Sequence, residues 1–341
     1  MTDPLSNLSK AERSRLKPAA DTSWMPPMLA TLSHNHFSSE AWIYERKLDG
    51  VRALAFCSGN CVSLMSRNRH SLDRTYPELI EGLSRSPGRY AVDGEIVTFD
   101  GKVTSFGRLQ ARMQVKNPAS DLVARVPVYF YVFDMLRYGD WDLTALPLRR
   151  RKAILKQALV FRDPIRFCPH INTDGETFLA EACRKGWEGL IAKRAASGYV
   201  GQRSRDWLKF KCENRQELVI AGYTEPNGGR IGFGALLLGY HQDGRLHYAG
   251  KVGTGFDDRF LESFGERLRR AEIDRPAFVD PPTATRGVHW TRPEFVGEVA
   301  FTEWTGDGKL RHPRFEGLRD DKAPREVVRE TDPAMSTRGR Q

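Results

Sequence analysis

The sequence predicts an α+β protein in which antiparallel sheets with flanking helices are followed by a small β-barrel. Up to about residue 212, short runs rich in β-branched and aromatic residues alternate with turn signals, as is typical of antiparallel strands. Beyond that point the predicted strands become shorter and evenly spaced, which favours a barrel. A length of 341 residues is consistent with two domains.

The first domain is expected over residues 25–212, after a polar segment at 1–24 that contains proline and lacks periodicity. Such a segment is typical of a flexible arm or a surface wrap. The aromatic run VYFYVFDML is long enough to be a buried central strand. Helices are expected near 76–83, over LRRRKAILKQAL and at 175–185. Strand candidates are WIYERK, VRALAFC, CVSLMS, RYAVDGEIVTF, GLIAKR and DWLKFK.

The second domain is expected over residues 213–331 as a five-stranded barrel of the OB type, the OB-fold. A charged amphipathic helix at 257–270 is inserted among its strands. The Gly-rich segment GYTEPNGGRIGFGA lies between two strands and lacks the Lys-Ser/Thr ending of a phosphate-binding loop, so a hairpin loop is predicted. The polar, Arg-rich tail at 332–341 is expected to be disordered. Strand candidates are ELVIAGY, ALLLGYH, LHYAGKV and GEVAFTEW.

The charge balance favours a polyanionic partner, with nucleic acid as the first candidate. The chain has 53 Lys and Arg residues against 43 Asp and Glu residues, a formal net charge of +10 and a pI near 9.4. A basic enzyme whose charges merely solvate it would have the same balance. The sequence contains neither an apolar run of 18 or more residues nor the apolar core of a secretion signal, so a cytoplasmic location without a membrane is expected.

The five cysteines are widely spread and odd in number: Cys57, Cys61, Cys168, Cys183 and Cys212. They form no CxxC pair, so ordinary buried thiols in a reducing compartment are expected. Cys57 and Cys61 are spaced like two zinc ligands, but no second pair stands at a useful distance.

The segment ERKLDGVR at 45–52 contains the most informative candidate residue, Lys47. It precedes the polar turn formed by Asp49 and Gly50, and Arg52 follows on a predicted strand. A lysine at the end of a strand can point into a cleft, and a neutral amine, which nearby positive charge favours, can attack phosphorus. A common β-turn with flanking charges is the alternative.

Six further short motifs follow in order along the chain. Each is weak alone, but together with KLDGVR they resemble the motif signature of the covalent nucleotidyltransferases, the superfamily of DNA ligases, RNA ligases and mRNA capping enzymes. The resemblance covers about 25–325 and implies a nucleotidyltransferase domain of ATP-grasp-like fold followed by an OB-fold. The motifs are SRN (66–68), VDGEIV (92–97), YVFDML (131–136), EGLIAKR (188–194), DWLKFK (206–211) and RDDK (319–322).

The resemblance implies a role in ATP binding for the residues of the first motifs. Lys47 would attack the α-phosphate of ATP and release pyrophosphate, which leaves AMP on the lysine. Glu45 would recognise adenine, and Arg52 would contact the ribose or a phosphate unless it forms a surface ion pair. Arg67 would bind the α-phosphate or the DNA 5′-phosphate. Phe133 would stack on the purine, with ordinary core packing as the alternative.

Two carboxylates and three lysines complete the nucleotide site that the resemblance implies. Glu95 would hold the ribose hydroxyl and, with Glu188, would bind Mg²⁺ or Mn²⁺, because such ions prefer oxygen ligands. Lys193, Lys209 and Lys211 would converge on the triphosphate and stabilise an in-line phosphoryl transfer. Lys209 and Lys211 are two apart on a predicted strand, so they share a face opposite the intervening aromatic residue.

The motif RDDK lies in the predicted barrel, so a hinged domain would have to deliver it to the nucleotide. The resemblance implies that Arg319, Asp321 and Lys322 orient the leaving pyrophosphate, after which the barrel rotates away and clasps DNA. A basic start of a C-terminal helix is the alternative.

Four longer stretches look like the ligase module of bacterial end-joining DNA ligases of the LigD type. This implies a monomer that seals 5′-phosphate/3′-hydroxyl breaks in double-stranded DNA and works with a Ku-like end-binding protein. An RNA ligase, a capping enzyme and a non-catalytic DNA-binding protein are the alternatives. We expect no polymerase-like or phosphoesterase-like domain in 341 residues. The stretches are SRNRHSLDRTYPEL, EGLIAKRAASGYVGQRSRDWLKFKC, YAGKVGTGFD and LRHPRFEGLRDDK.

Overall fold

A computed structural model describes residues 3–19, 24–59, 61–226 and 228–330. It divides into two compact units between Cys212 and Glu213. The tail expected at 332–341 lies outside the described residues, as do residues 1–2 and 20–23 of the expected N-terminal arm. The two units are described separately.

The first unit contains fourteen strands and six helices among its described residues. Its strands are β1 (Lys17–Pro18), β2 (Leu29–Leu32), β3 (Trp42–Arg46), β4 (Val51–Gly59), β5 (Cys61–Ser66), β6 (Gly88–Val97), β7 (Phe99–Asp100), β8 (Val103–Thr104), β9 (Tyr129–Tyr138), β10 (Trp141–Asp142), β11 (Ile165–Phe167), β12 (His170–Ile171), β13 (Gly189–Arg194) and β14 (Arg203–Lys211). Its helices are α1 (Lys10–Arg13), α2 (Pro77–Ser84), α3 (Phe106–Leu109), α4 (Ser120–Arg125), α5 (Leu148–Ala158) and α6 (Gly175–Arg184).

Two sheets form the framework of the first unit. Sheet A has the strand order β1-β10-β9-β6-β4-β5, and β11 pairs with β9; sheet B has the order β12-β3-β13-β14-β2. Pairing is antiparallel except for β11 with β9 and β14 with β2. The predicted antiparallel sheets are therefore confirmed, with one parallel pair in each sheet.

Sheet A packs one face under helices and the other face against sheet B. Val51, Phe130 and Leu155 belong to the core cluster under the helices. Phe133 of sheet A and Trp207 of sheet B belong to a second cluster between the sheets. Residues alternate between the two faces of a strand, so polar side chains on the inner faces are held between the sheets.

The N-terminal segment is ordered where it is described, and the expectation of a flexible arm is wrong for residues 3–19. Leu5 and Leu8 are buried in the core under sheet A. Ser9 and Glu12 form a capping box at the start of α1, which satisfies backbone N–H groups at the helix N-terminus. β1 pairs with β10. Two buried leucines and a capped helix therefore outweigh the polar composition.

Two of the cysteines are not free thiols, which corrects the expectation from their spacing. Cys183 at the end of α6 and Cys212 after β14 form a disulfide, with their Cα atoms 5.3 Å apart. Cys57 and Cys168 are buried free thiols, whereas Cys61 is exposed. The described residues contain no group of three or more potential metal ligands, so the zinc alternative at Cys57 and Cys61 finds no further ligand there.

The second unit is built around one six-stranded antiparallel sheet. Its strand order is β17-β16-β15-β19-β18, and β22 pairs with β19. The long β19 pairs with three neighbours, which bends the sheet into the half-barrel of an OB-type fold. The elements are β15 (Asn214–Thr224), β16 (Leu236–Gln242), β17 (Arg245–Val252), α7 (Asp258–Arg270), β18 (Glu272–Ile273), β19 (Val288–Phe301), β20 (Glu303–Trp304), β21 (Leu310–Arg311), β22 (Arg314–Leu318) and a 3-10 helix (Pro324–Glu326).

Helix α7 covers the core of the second unit. Asp257 caps it by accepting a hydrogen bond from the Phe260 N–H at 2.7 Å, and Leu261, Phe264 and Leu268 are buried in the core. The Gly-rich segment joins β15 to β16, which pair antiparallel, so the predicted hairpin loop is confirmed. Among the described residues, no helix has both the length and the apolar character that crossing a membrane requires.

Candidate functional site

The inner face of sheet B collects several of the predicted site residues. Glu45 of β3, Ile191 of β13 and Lys209 of β14 lie opposite one another in register. Lys193 and Trp207 form a neighbouring pair one step along. Residues in register on adjacent strands point to the same side of a sheet. Glu45, Lys193, Lys209 and Trp207 therefore share the face that packs against sheet A.

Lys47 follows the last residue of β3 and contacts the carboxylate of Glu188. The side chains form an ion pair and are 17% and 5% exposed, respectively. The Lys47 N–H also donates to the Gly189 carbonyl at 2.9 Å. The structure therefore brings together the predicted nucleophile and one predicted metal ligand.

Glycines shape the backbone on both sides of this ion pair. Gly189 has a φ of +142°, and a Cβ there would lie 2.0 Å from the Phe210 carbonyl oxygen. At Gly50, in the turn after Lys47, a Cβ would lie 2.1 Å from the Ile96 carbonyl oxygen. Only glycine permits such close approaches between backbones. The turn in KLDG and the Glu-Gly step of EGLIAKR are thus required by packing.

Glu45 is buried between two lysines. Its carboxylate contacts the Nζ of Lys152, and its Oε2 lies 2.6 Å from the Nζ of Lys193. All three side chains are 2% exposed. Burial alone would raise the pKa of Glu45, but the two ammonium groups outweigh it and lower that pKa below its ordinary value. Burial lowers the pKa of Lys193, and Glu45 opposes this effect.

Phe133 on β9 is enclosed by an aromatic ring and two cations. The Trp207 ring meets it edge-on, with 5.9 Å between ring centroids. The Lys193 Nζ lies 4.0 Å and the Arg52 Cζ lies 4.6 Å from the Phe133 centroid. Cations at these distances are attracted by an aromatic face. Phe133 is buried, and its stacking on a purine stays a prediction.

Arg52 on β4 is bound to Asp93 on β6. Its Nε and Nη2 donate to the two carboxylate oxygens at 2.5 Å each, and the Tyr199 hydroxyl donates to Asp93 Oδ2 at 2.6 Å. Burial disfavours the charge on Arg52, yet the Asp93 carboxylate raises its pKa above the ordinary value. The ion-pair alternative for Arg52 is therefore present, although it lies inside the unit and not at the surface.

Glu95 lies on sheet A, and Arg67 lies at the edge of that sheet. Glu95 of β6 lies opposite Arg52 in register and is half-buried. Arg67 is half-buried in the turn that follows β5. Their predicted contacts with the ribose, a metal ion and a phosphate stay predictions.

Lys209 and Lys211 lie on the same side of β14, as the alternation of strand residues predicted. Both are half-buried, whereas Phe210 between them is fully buried in the cluster behind sheet B. Gly189 is the in-register neighbour of Lys211 and also receives the Lys47 hydrogen bond. Lys47 and Lys211 therefore lie on either side of one glycine.

The three predicted site residues of RDDK lie in the second unit and have partners there. Arg319 donates to Glu298 at 2.8 Å and to both carboxylate oxygens of Asp321 at 2.9 Å. Lys322 lies 3.1 Å from Glu217. Burial would raise the pKa of Asp321, but Arg319 lowers it below the ordinary value. Their role toward pyrophosphate stays a prediction.

Lys152 and the pair formed by Asp134 and Arg151 were missed by the sequence analysis. Arg151 is fully buried and donates to both oxygens of Asp134, at 2.7 and 2.8 Å. A usable signal was present in LRRRKAILKQAL, because Leu148, Arg151, Lys152 and Leu155 share one face of a helix at 3.6 residues per turn. Charged residues among leucines on that face indicate buried ion pairs.

Comparison with known proteins gives matches over both units. The model of the ATP dependent DNA ligase domain matches residues 27–211, and that of the ATP dependent DNA ligase C terminal region matches residues 229–322. LigD of Pseudomonas aeruginosa is 38% identical over 315 residues, which is 90% of this chain and 37% of that protein. LigD of Mycobacterium tuberculosis is 35% identical over 315 residues, which is 90% of this chain and 40% of that protein.

A solved mycobacterial DNA ligase D, complexed with ATP and MES, has the same fold. Its TM-score is 0.64 at 34% identity, and the match covers 90% of this chain and 98% of that chain. The two units have the fold of a ligase-type nucleotidyltransferase. The chain belongs to the ATP-dependent DNA ligase family. The motif-based resemblance to LigD ligase modules is confirmed, and the chain spans less than half the length of the LigD proteins it matches.

Proposed function

We propose that this protein is an ATP-dependent DNA ligase that seals breaks through a covalent adenylate on Lys47. The observation that carries the proposal is the contact of Lys47 with Glu188 at the end of a strand whose sheet also presents Lys193 and Lys209. The neighbouring lysines would bind the phosphates of a polyanion, and their positive charge favours the neutral form of the Lys47 amine. The mycobacterial relative was solved with ATP, which supports ATP as the nucleotide.

In the first step, the Lys47 amine attacks the α-phosphorus of ATP. A P–N bond forms, the bond from the α-phosphorus to the bridging oxygen breaks, and pyrophosphate leaves. An ammonium has no lone pair, so Lys47 must first release a proton, and Glu188 is a carboxylate in contact with it. Lys209 and Lys211 would stabilise the developing negative charge on the phosphates.

Adenine recognition and phosphate binding fall to residues around the space between the sheets. Glu45 would meet the edge of the base and Phe133 its face, and Arg52 would approach the ribose from its position over Phe133. Arg67 would bind a phosphate. Arg319, Asp321 and Lys322 of the second unit would orient the leaving pyrophosphate.

Glu95 and Glu188 are the residues that would hold Mg²⁺ or Mn²⁺. Their carboxylates fit a hard cation that prefers oxygen ligands. Since the described residues contain no group of three or more potential protein ligands, phosphate oxygens and water would complete the coordination. The ion would supply charge neutralisation on the phosphates.

In the later steps, a DNA 5′-phosphate oxygen attacks the lysine-bound AMP, which breaks the P–N bond and forms a DNA-adenylate. A 3′-hydroxyl then attacks the DNA 5′-phosphorus and expels AMP. With a net charge of +10, the protein should bind duplex DNA mainly through phosphates, and binding should weaken as salt is raised.

A nick-sealing assay with α-labelled ATP and Mg²⁺ or Mn²⁺ tests this proposal. We expect labelled protein, labelled DNA-adenylate and sealed product to appear in that order. Lys47→Ala should abolish all three, whereas Lys116→Ala, which removes an exposed lysine of the same unit, should leave them unchanged. Sealing by Lys47→Ala, or label retained from GTP and not from ATP, would refute the assignment. A nicked RNA duplex that is sealed faster than nicked DNA would favour an RNA ligase.

The cellular role that we propose is non-homologous end joining in the bacterial cytoplasm, by a monomer that works with a Ku-like end-binding protein. Support comes from the LigD relatives, which are named as non-homologous end joining proteins. Joining of linear duplexes with compatible ends should increase when a purified Ku-like protein is added, while sealing of a nick should not. Equal effects on both substrates would count against this role.

A further inference from the structure

We propose that Lys152 is a positioning residue that holds Glu45 for recognition of the exocyclic amino group of the nucleotide base. The inference rests on the proposed function and adds a residue outside all the nucleotidyltransferase motifs. Lys152 lies on α5, and its ammonium contacts Glu45, which lies on β3 of sheet B. It reaches the carboxylate oxygen that Lys193 does not.

The hydrogen bonds of Lys152 are fully committed inside the protein. Besides Glu45, its Nζ donates to the Cys168 carbonyl at 3.0 Å and to the Phe133 carbonyl at 3.3 Å. An ammonium has three donors, so these three acceptors use its whole capacity. Lys152 therefore has no donor left for a phosphate and acts on its protein neighbours.

Lys152 links the two groups predicted to contact the base. Glu45 on sheet B would meet the edge of the base, and Phe133 on sheet A would support its face. One ammonium bonds to the side chain of the first and to the main chain of the second. Lys152, a single buried residue, thereby fixes the distance between Glu45, the hydrogen-bond acceptor, and Phe133, the stacking surface.

The charge around Glu45 keeps its carboxylate ionised. A buried carboxylate would otherwise be expected to take up a proton, but the two lysines lower the pKa of Glu45. The neighbouring His170 does not supply this charge, because burial and Lys152 lower its pKa to about 4. An ionised carboxylate only accepts hydrogen bonds. It therefore favours the amino group of adenine and disfavours a carbonyl oxygen at the same place on guanine.

The test compares ATP with purine riboside triphosphate, which lacks the amino group. Lysyl-AMP formation, or formation of the corresponding analogue adduct, is measured in single turnovers with the full chain. The wild type should prefer ATP. In Lys152→Met we expect the rate with ATP at low concentration to fall about tenfold or more, as for a lost hydrogen bond to a charged group, and the rate with the analogue to fall much less.

The matched control is Lys156→Met, which removes an exposed lysine one turn along the same helix and should keep the wild-type preference. Lys152→Gln retains a hydrogen-bond donor without the charge and replaces the methionine variant if that variant unfolds. It should also lose most of the preference for ATP. If both nucleotides slow equally in these variants, Lys152 has only a structural role and the inference is wrong. If the wild type forms no adduct with ATP, the proposed function itself is wrong.

Discussion

Asp93 and Arg52 form an ion pair inside the first unit, in which the guanidinium donates to both carboxylate oxygens. The two residues lie on adjacent strands of sheet A, and neither is at the surface. Both hydrogen bonds are 2.5 Å long, and the Tyr199 hydroxyl donates to the same carboxylate. Two parallel bonds fix the plane of the guanidinium. Arg52 is thereby held over the Phe133 ring.

Removing the Asp93 charge should destabilise the first unit strongly. Asp93→Asn leaves a buried guanidinium without its counter-ion, for which the free energy of unfolding should fall by about 3 kcal/mol. Asp140→Asn is the matched control, because Asp140 pairs with Arg89 at the surface and is 78% exposed; it should cost less than about 1 kcal/mol. Denaturant unfolding measures both, and similar losses would contradict the burial argument.

Gly189→Ala should be far more damaging than Gly88→Ala. The two glycines have nearly the same φ, +142° and +140°, so both variants carry the strain of a backbone conformation that side chains disfavour. A Cβ at Gly88 meets nothing within 4 Å, whereas one at Gly189 meets the Phe210 carbonyl oxygen. We expect Gly189→Ala to cost at least about 2 kcal/mol more. Equal melting temperatures would show that the strand can shift.

The second unit should lose stability in acid through Asp321. Its pKa is lower in the folded protein than its ordinary value of 3.8, so its contribution is present above that value and is lost as the pH falls through the folded pKa. Hydrogen exchange of β22 amides at pH 6 and pH 3 measures this loss. In Asp321→Asn, the β22 amides should be less protected from exchange than in the wild type at pH 6. Their protection should also change less between pH 6 and pH 3. Asp320→Asn, beside it, should behave like the wild type.

Loss of the disulfide should destabilise the first unit. Cys183 and Cys212 are separated by 29 residues, and closing a loop of this length is worth about 3 to 4 kcal/mol through the entropy of the unfolded chain. Cys183→Ser should therefore lower the free energy of unfolding by that order under non-reducing conditions. Cys61→Ser, which removes an exposed free thiol, should not. If reduction left the free energy of unfolding of the wild type unchanged, the presence of the disulfide would be contradicted.

Local patterns predicted the parts of the site that lie within one strand or one turn. The alternation of Lys209, Phe210 and Lys211 on β14 follows from a two-residue period, and the turn at Gly50 follows from the KLDG run. Long-range partners could not be predicted this way. No pattern in the sequence indicates that Lys47 contacts Glu188 or that Glu45 contacts Lys152.

Composition alone predicts the wrong structure in two places. Composition predicts a polar arm over residues 1–24, but within residues 3–19 Leu5, Leu8 and the Ser9–Glu12 capping box provide an apolar anchor and a defined helix start. Cys183 and Cys212 lack any motif spacing, because helix α6 and the end of β14, next to which Cys212 lies, meet only in the folded chain. In both cases specific contacts formed in the folded chain decided the structure.

The bond between Cys183 and Cys212 also changes how the chain would bear a mechanical load. Cys212 is the last residue before the second unit begins at Glu213. Tension applied through Glu213 would reach helix α6 across the sulfur atoms as well as strand β14 along the backbone. β14 lies between β13 and β2 in sheet B, and under force the load on it would therefore be shared with α6 through the disulfide.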